Sequence, residues 1–322
     1  MKAFITGING QDGSYLAELL ISKGYEVFGI IRRNSVSENQ TFRINKIIDK
    51  IKLFYGDVTD LSCLISVIKN VMPDEVYNLA AQSHVKVSFE QPISTANITG
   101  IGSLNVFEAV RLVCPNAKIY QASSSEMFGN NIDEDGFQRE TTAMKPVSPY
   151  GCAKLYAHRI AINYRHSYGM FISNGILFNH ESYRRGSNFV TSKVVQGAVS
   201  IYLGKSSTLN LGNLNATRDW GYAKEYVSAM WLMLQQDKAD DFVCATGVSH
   251  SVRDLCKLVF EKLGMHYENY VNVDEKYFRP EELVNLKGDA SKLYKTTQWK
   301  PKVSFEEMIY DMIEHYIIQS NG

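Results

Sequence analysis

Apolar residues run along the first half of the chain in two alternating rhythms. Short runs rich in β-branched and aromatic residues, "KAFIT", "YEVFGII", "KIKLFYG", "DEVYNLA", "AKIYQAS" and "FISNGILF", predict strands. Between them, "DGSYLAELLISKG", ended by Gly24, and "DLSCLISVIKNV" carry the helical period. So do a long stretch from about Gln91 to Leu112 and "SPYGCAKLYAHRIAINYRHSYG". Strands alternating with helices build a parallel sheet covered on both faces, so the expected class is α/β, a doubly wound, Rossmann-type fold.

After Phe178 the rhythm breaks into the polar, basic "NHESYRRGSNF", and then helical and strand pieces mix. The expected organisation is a dinucleotide-binding domain over 1–180, with returning segments near 215–247. A smaller mixed α/β substrate-binding part over 181–322 completes it, with a cleft between the two.

Composition narrows the partners. In 322 residues, Lys+Arg and Asp+Glu number 34 each, so no charge excess steers the chain to nucleic acid or an anionic membrane. Cys63, Cys114, Cys152, Cys244 and Cys256 are scattered with no CxxC pair, so neither a disulfide framework nor a metal site is expected. "MKAFITG" opens directly in a strand-like run, and no apolar run reaches about 18 residues. The expectation is therefore a cytoplasmic protein without a leader or membrane span.

The first strand-to-helix turn reads Gly7-Ile8-Asn9-Gly10-Gln11-Asp12-Gly13. Glycines there let the backbone approach a pyrophosphate, whose charge the helix N-terminus stabilises. Three glycines alone mean little; their place at the first turn of an alternating chain carries the reading. At the end of the second strand, where an acid suits NAD, the chain has Arg32-Arg33-Asn34-Ser35. Two guanidiniums and a hydroxyl suit the 2′-phosphate of NADP, although such a turn is also an ordinary solvated one. Asp57 and Val58 are expected to flank the adenine, and Leu79, Ala80, Ala81 and Ser83 of "LAAQSH" to run beneath the cofactor.

Tyr150 and Lys154 form a YxxxK pair, which at i,i+4 on a helix points both side chains one way. The Lys charge is expected to lower the phenol pKa so that Tyr150 serves as a base. The preceding strand ends in "QASSSEMFG", placing serines and a glutamate beside the cofactor. Ser at such a point bonds the substrate hydroxyl and the Tyr. Tyr, Lys and Ser suffice for oxidoreduction at one alcohol, so Glu126 suggests a second proton transfer, at a carbon beside a newly formed ketone. The plain alternative makes Glu126 a helix-start residue.

Together, "TGINGQDGSYLAELL", "RRNS", "NLAAQSHV", "QASSSEMFG", "SPYGCAKLYA", "NGILFNHES", "RDWGYAKEYV" and "FRPEE" resemble the GDP-mannose 4,6-dehydratase family of the extended short-chain dehydrogenases/reductases. The resemblance spans nearly the whole length and implies an NADP-dependent lyase acting on a GDP-sugar. By that resemblance Ser124, Glu126, Tyr150 and Lys154 are catalytic, and His180 and Arg185 touch the cofactor. Asn179 is a substrate ligand; Lys193, Arg218 and Arg279 hold the GDP; Ser83, Ser125 and Glu282 complete the substrate set. It also implies a homodimer or homotetramer built on the long helices. Tyr183, Ser192, Tyr222 and "FRPEELVN" depart from the family pattern, and Ser124 is the smaller of the two residues used at its site. These departures leave GDP-D-glycero-D-manno-heptose open beside GDP-mannose. An epimerase, a reductase and a non-catalytic nucleotide sensor are the more distant readings.

Overall fold

The computed structural model describes residues 1–33, 40–278 and 280–321. Six strands follow the predicted runs: Lys2–Thr6 (β1), Glu26–Ile31 (β2), Ile51–Tyr55 (β3), Glu75–Asn78 (β4), Lys118–Ser124 (β5) and Ile172–Leu177 (β6). A seventh, Asp241–Cys244, returns to pair in parallel with β6. The order is β3-β2-β1-β4-β5-β6 followed by Asp241–Cys244, all parallel. Successive strands are added to one side from β1 to β3 and to the other from β4 onward, and the carboxyl ends of strands at such a switch point open a ligand crevice.

Both faces of the sheet are buried, as a parallel sheet requires. On one face the helix Gln11–Ser22 packs with Ala223–Leu234, burying Leu16, Leu20, Tyr226 and Met230 over Tyr77 and Tyr120. On the other, Leu64 and Ile68 meet Val106, Phe107 and Val110, and Ala161 and Tyr164 lie over Ile119 and Ile172. The stretch expected as one helix from about Gln91 to Leu112 is composite. Pro92–Thr95 leads into a π-helical Ala96–Ile101 and then Gly102–Val113. Close packing explains why small residues stand there: a Cβ at Gly102 would lie 2.7 Å from the Val58 side chain.

Beyond β6 the chain builds a second core. Helices Val190–Tyr202, Val252–Lys262 and Phe305–Asn321 enclose Val195, Val199, Leu255, Phe260, Ile309 and Met312. Thr217–Tyr222 is the hub of a small mixed sheet, pairing with Asn179–Glu181, Ser249–Ser251 and Asn285–Leu286. The 215–247 stretch thus divides: Thr217–Tyr222 serves the small sheet, and Asp241–Cys244 the large one. Among the described residues no helix is long and apolar enough to cross a membrane.

Candidate active site

A cleft of about 1120 Å³ lies across the carboxyl ends of β1, β4 and β5 and is closed by the C-terminal part. Its floor begins at the first turn, where Gly7, Asn9, Gly10, Gln11, Asp12 and Gly13 line it. Gly7 has φ +70°, and a Cβ at Gly13 would sit 2.3 Å from the Gly7 carbonyl oxygen, so only glycine lets the turn fold onto the helix start. The result is a cradle of backbone at a helix N-terminus, the geometry that accepts a pyrophosphate. Asp12 and His180 are joined at 2.8 Å. Burial raises the Asp12 pKa, but the His180 charge and hydrogen bond outweigh it, and the carboxyl ends at about 2. Burial lowers His180, and Asp12 more than reverses that. Gln11 donates to the His180 carbonyl at 3.0 Å and accepts from Ser182 at 2.9 Å, so the turn is stitched to the segment after β6.

Arg32, Asp57, Val58, Leu79, Ala80, Ala81 and Ser83 line the same cleft. Arg33 does not; its guanidinium lies over the Tyr55 ring at 6.0 Å. Asn34, Ser35 and Arg279 fall outside the described residues.

The serine cluster forms the cleft's centre. β5 ends at Ser124, whose hydroxyl accepts the Glu126 N–H at 3.2 Å and caps the short turn Ser125–Met127. The helix Pro149–Tyr168 starts alongside, with Ser148 accepting the Gly151 N–H at 3.0 Å. A Cβ at Gly151 would lie 2.8 Å from the Glu126 carbonyl oxygen, so glycine there lets Tyr150 come up to Glu126. Ser124, Ser125, Glu126, Tyr150 and Lys154 all line the cleft, and all are buried.

The electrostatics differ from the sequence expectation. Burial drives the Tyr150 phenol up to about 12, with a hydrogen bond from Ser124 pulling the other way and the Glu126 charge adding to the rise. Lys154 does not lower it: its ammonium is engaged with the Ala122 carbonyl at 2.7 Å, and burial brings Lys154 itself down to about 8.

At the far end lie Asn179, Lys193, Arg218 and Glu282. Arg218 is buried, bonded to the Thr217 and Leu283 carbonyls at 2.8 and 3.0 Å and to Glu282 at 3.3 Å. Lys193 reaches the Asn210 carbonyl at 2.7 Å and covers the Tyr277 ring at 3.7 Å. Arg185, held by Glu181 at 3.2 Å, stacks on Phe189 at 3.7 Å. The cleft also takes in Gln82, His84, Lys86, Phe189 and Tyr277, none of which the sequence reading singled out. Gln82 and His84 lie inside the "LAAQSH" run, Lys86 follows it closely and Tyr277 adjoins "FRPEE", so a place in or beside a motif was the available signal.

Residues 4–312 match the family model for GDP-mannose 4,6 dehydratase. The chain belongs to the GDP-mannose 4,6-dehydratase family. It is 51% identical to GDP-mannose 4,6 dehydratase 2 of Arabidopsis thaliana, over 97% of this chain and 86% of that protein. It is 48% identical to the Homo sapiens GDP-mannose 4,6 dehydratase, over 97% and 90%. Among solved structures it resembles the UDP-glucose 4-epimerase of Thermus thermophilus in complex with NAD, with TM-score 0.85 and 25% identity over 98% and 99% of the two chains.

The departures from the GDP-mannose 4,6-dehydratase pattern now have places. Tyr183 stacks on His315 with ring centroids 3.8 Å apart, and the Tyr222 hydroxyl donates to Asp311 at 3.1 Å. Ser192 does not open room for a larger sugar. It is fully buried outside the cleft lining, 3.0 Å from the Tyr316 hydroxyl and accepting from Gln196 at 2.8 Å. Of Ser124, Tyr183, Ser192 and Tyr222, Ser124 alone faces the cleft.

Proposed function

We propose that this chain is an NADP-dependent GDP-mannose 4,6-dehydratase, converting GDP-mannose to GDP-4-keto-6-deoxy-mannose. The observation that carries the reading is the meeting of Glu126 with Ser124, Tyr150 and Lys154 in one buried cluster against the dinucleotide cradle. An epimerase or reductase of this fold needs no such carboxylate, and a nucleotide sensor needs none of the four groups. The sequence relatives named above act as further support.

The cradle suits a dinucleotide, with Gly7 to Gly13 on the pyrophosphate and Arg32 at the position for a 2′-phosphate. Asp57 and Val58 take the adenine side. Tyr150, Lys154, His180 and Arg185 take the nicotinamide side, and Lys154 holds the ribose. When bound there, the cofactor would supply the hydride acceptor for C4 of the hexose and the hydride donor for C6.

The protein's own groups move the protons. Tyr150 takes the C4 hydroxyl proton, with Ser124 bridging the two oxygens. Because burial holds the phenol high, the step depends on positive charge brought beside the ring. Once C4 is a ketone, the C5 hydrogen is acidic, and the Glu126 carboxylate removes it. The protonated Glu126 then delivers that proton to the C6 hydroxyl, which leaves as water. Once the hydride is on C6, C5 takes a proton from solvent by way of Glu126. Tyr150 releases the proton it took from the C4 hydroxyl, which closes the balance. Asn179 holds the sugar; Lys193, Arg218 and Glu282 hold the GDP, where basic groups suit a diphosphate.

A second reading is favoured by one residue. Ser124 keeps the hydroxyl of the family's usual Thr and lacks its methyl, which leaves room beyond C6 for GDP-D-glycero-D-manno-heptose. The exposed Ile101, Leu112, Tyr156 and Tyr168, on or beside helices Gly102–Val113 and Pro149–Tyr168, support a homodimer or homotetramer. The test is mass and NMR analysis of the product with each sugar nucleotide offered in turn. Loss of water with a 4-keto group supports the reading; an epimer of unchanged mass, or no product, refutes it.

A further inference from the structure

Ser123 belongs to the serine cluster, yet the chemistry above gives it no task. Successive strand side chains alternate, so Ser123 shares a face with Ile119 and Gln121. That face packs on the helix Pro149–Tyr168. There the Ser123 hydroxyl lies 3.0 Å from His158 Nδ1. His158 follows Tyr150 and Lys154 at four-residue steps, so all three side chains share the helix face turned to β5. The other ring nitrogen, Nε2, is 3.7 Å from Asp241 Oδ2, at the start of the returning strand. Asp241 is itself fixed by Arg165 at 2.6 Å and by Asn174 at 2.8 Å.

His158 is 2% exposed and does not line the cleft. Burial brings its pKa down to about 4, so the ring is neutral and carries a single N–H. The carboxylate facing Nε2 draws that hydrogen, which leaves Nδ1 to accept from the Ser123 hydroxyl. The helix is therefore hooked to consecutive residues of β5: Lys154 to the Ala122 carbonyl, and His158 to the Ser123 side chain. The next residue is Ser124, which lines the cleft with Tyr150 and whose hydroxyl pulls the phenol pKa down against its burial.

We propose that His158 is a positioning residue that, through Ser123, holds the end of β5 so that Ser124 stays against Tyr150 during C4 oxidation. It touches no reacting atom. Its role in turnover rests on the dehydratase reading above, but the clamp itself does not. A misplacement near 1 Å at a reacting group costs up to about a hundredfold in rate, so the loss of one of two adjacent anchors is set at about tenfold.

The experiment compares the parent with His158→Leu, His158→Asn and Ser123→Ala, on GDP-mannose with and without deuterium at C4. His158→Leu is expected to lower kcat about tenfold, with KM and the cofactor Kd within about twofold of the parent. The deuterium effect on kcat is expected to rise, because C4 oxidation becomes limiting. Ser123→Ala, which removes only a hydroxyl, should move both quantities the same way and carries the test if His158→Leu does not fold. His158→Asn, whose amide oxygen replaces Nδ1 as acceptor, should recover most of kcat. Unchanged kcat in the first and third variants overturns the proposal. So does a loss that Asn does not recover and that leaves the isotope effect at the parent value, since that is packing alone. If the parent does not dehydrate GDP-mannose, the functional reading fails and the clamp is read by ¹⁵N NMR of the His158 ring. An Nε2–H tautomer with an Nδ1 shift that moves in Ser123→Ala supports it; an Nδ1–H tautomer, or a shift indifferent to Ser123, overturns it.

Discussion

Lys154 Nζ lies 2.7 Å from the Ala122 carbonyl oxygen, fastening the YxxxK helix to the strand that ends in the serine cluster. The same burial that shapes this contact brings the ammonium down to about 8. Acceptors on a bound cofactor favour the charged amine, so binding is linked to proton uptake once the pH passes that value. NADP affinity is therefore expected to be level below about pH 8 and to fall by up to about tenfold per unit above it. Lys154→Met should bind more weakly but without the slope. Titration of Kd between about pH 7 and 9.5 checks this, and a slope that survives in Lys154→Met would place the titrating group elsewhere.

The two arginines after β2 have separate positions, Arg32 lining the cleft and Arg33 over Tyr55. Loss of a charge-assisted hydrogen bond costs about 1.5–3 kcal/mol, so Arg32→Ala should weaken NADP at least roughly tenfold. NAD should change much less, and Arg33→Ala should matter less than Arg32→Ala. Equal losses for both cofactors would mean that the pair does not read a 2′-phosphate.

Discrimination between the two sugars should be modest. A methylene in a pocket is worth about 1–3 kcal/mol, and Ser124 is the single-residue departure that faces the cleft. Ser124→Thr is expected to lower kcat/KM for GDP-manno-heptose more than for GDP-mannose. A parent enzyme with no heptose turnover would show that the room does not lie at C6.

His158 also leaves a mark on stability. Its folded pKa of about 4 lies below the ordinary 6.5 of a free imidazole. Between these values the unfolded chain binds the extra proton, so stability falls as pH drops from about 6.5 to about 4. The slope is of the order of 1.4 kcal/mol per unit. In His158→Asn this acid limb should flatten, read by urea unfolding across that range. An unchanged limb would mean that other groups produce it.

The fold was largely legible because β-branched runs, helical periods and the glycine turn agree with one another. β1 to β6 lie where the hydrophobic pattern puts them. The pattern does not report how close two helices come, so the π-helical Ala96–Ile101 was read as ordinary helix. At the site, motifs named residues but not their environments. Burial, which raises Tyr150 and lowers Lys154, is a property of the assembled cleft and not of the YxxxK spacing. Ser192 stood among the departures that kept a larger sugar open because Tyr316, which packs against it, is 124 residues away in sequence. His158 sits in a helical run with no motif of its own, and its partner Asp241 arrives from a strand outside the predicted alternation.

The most direct measurement follows the hydrogen itself. GDP-mannose deuterated at C4 is turned over by the parent and by Glu126→Gln, and the product is read by mass and NMR. Dehydration with internal return requires a product lighter by one water, a ketone at C4 and the deuterium in the C6 methyl, with no net change in cofactor. Glu126→Gln, nearly isosteric, should bind cofactor normally and lose turnover by about a hundredfold or more, along with solvent exchange at C5. Deuterium absent from C6, a product of unchanged mass, or a Glu126→Gln enzyme that dehydrates at near the parent rate would contradict the role given to this cluster.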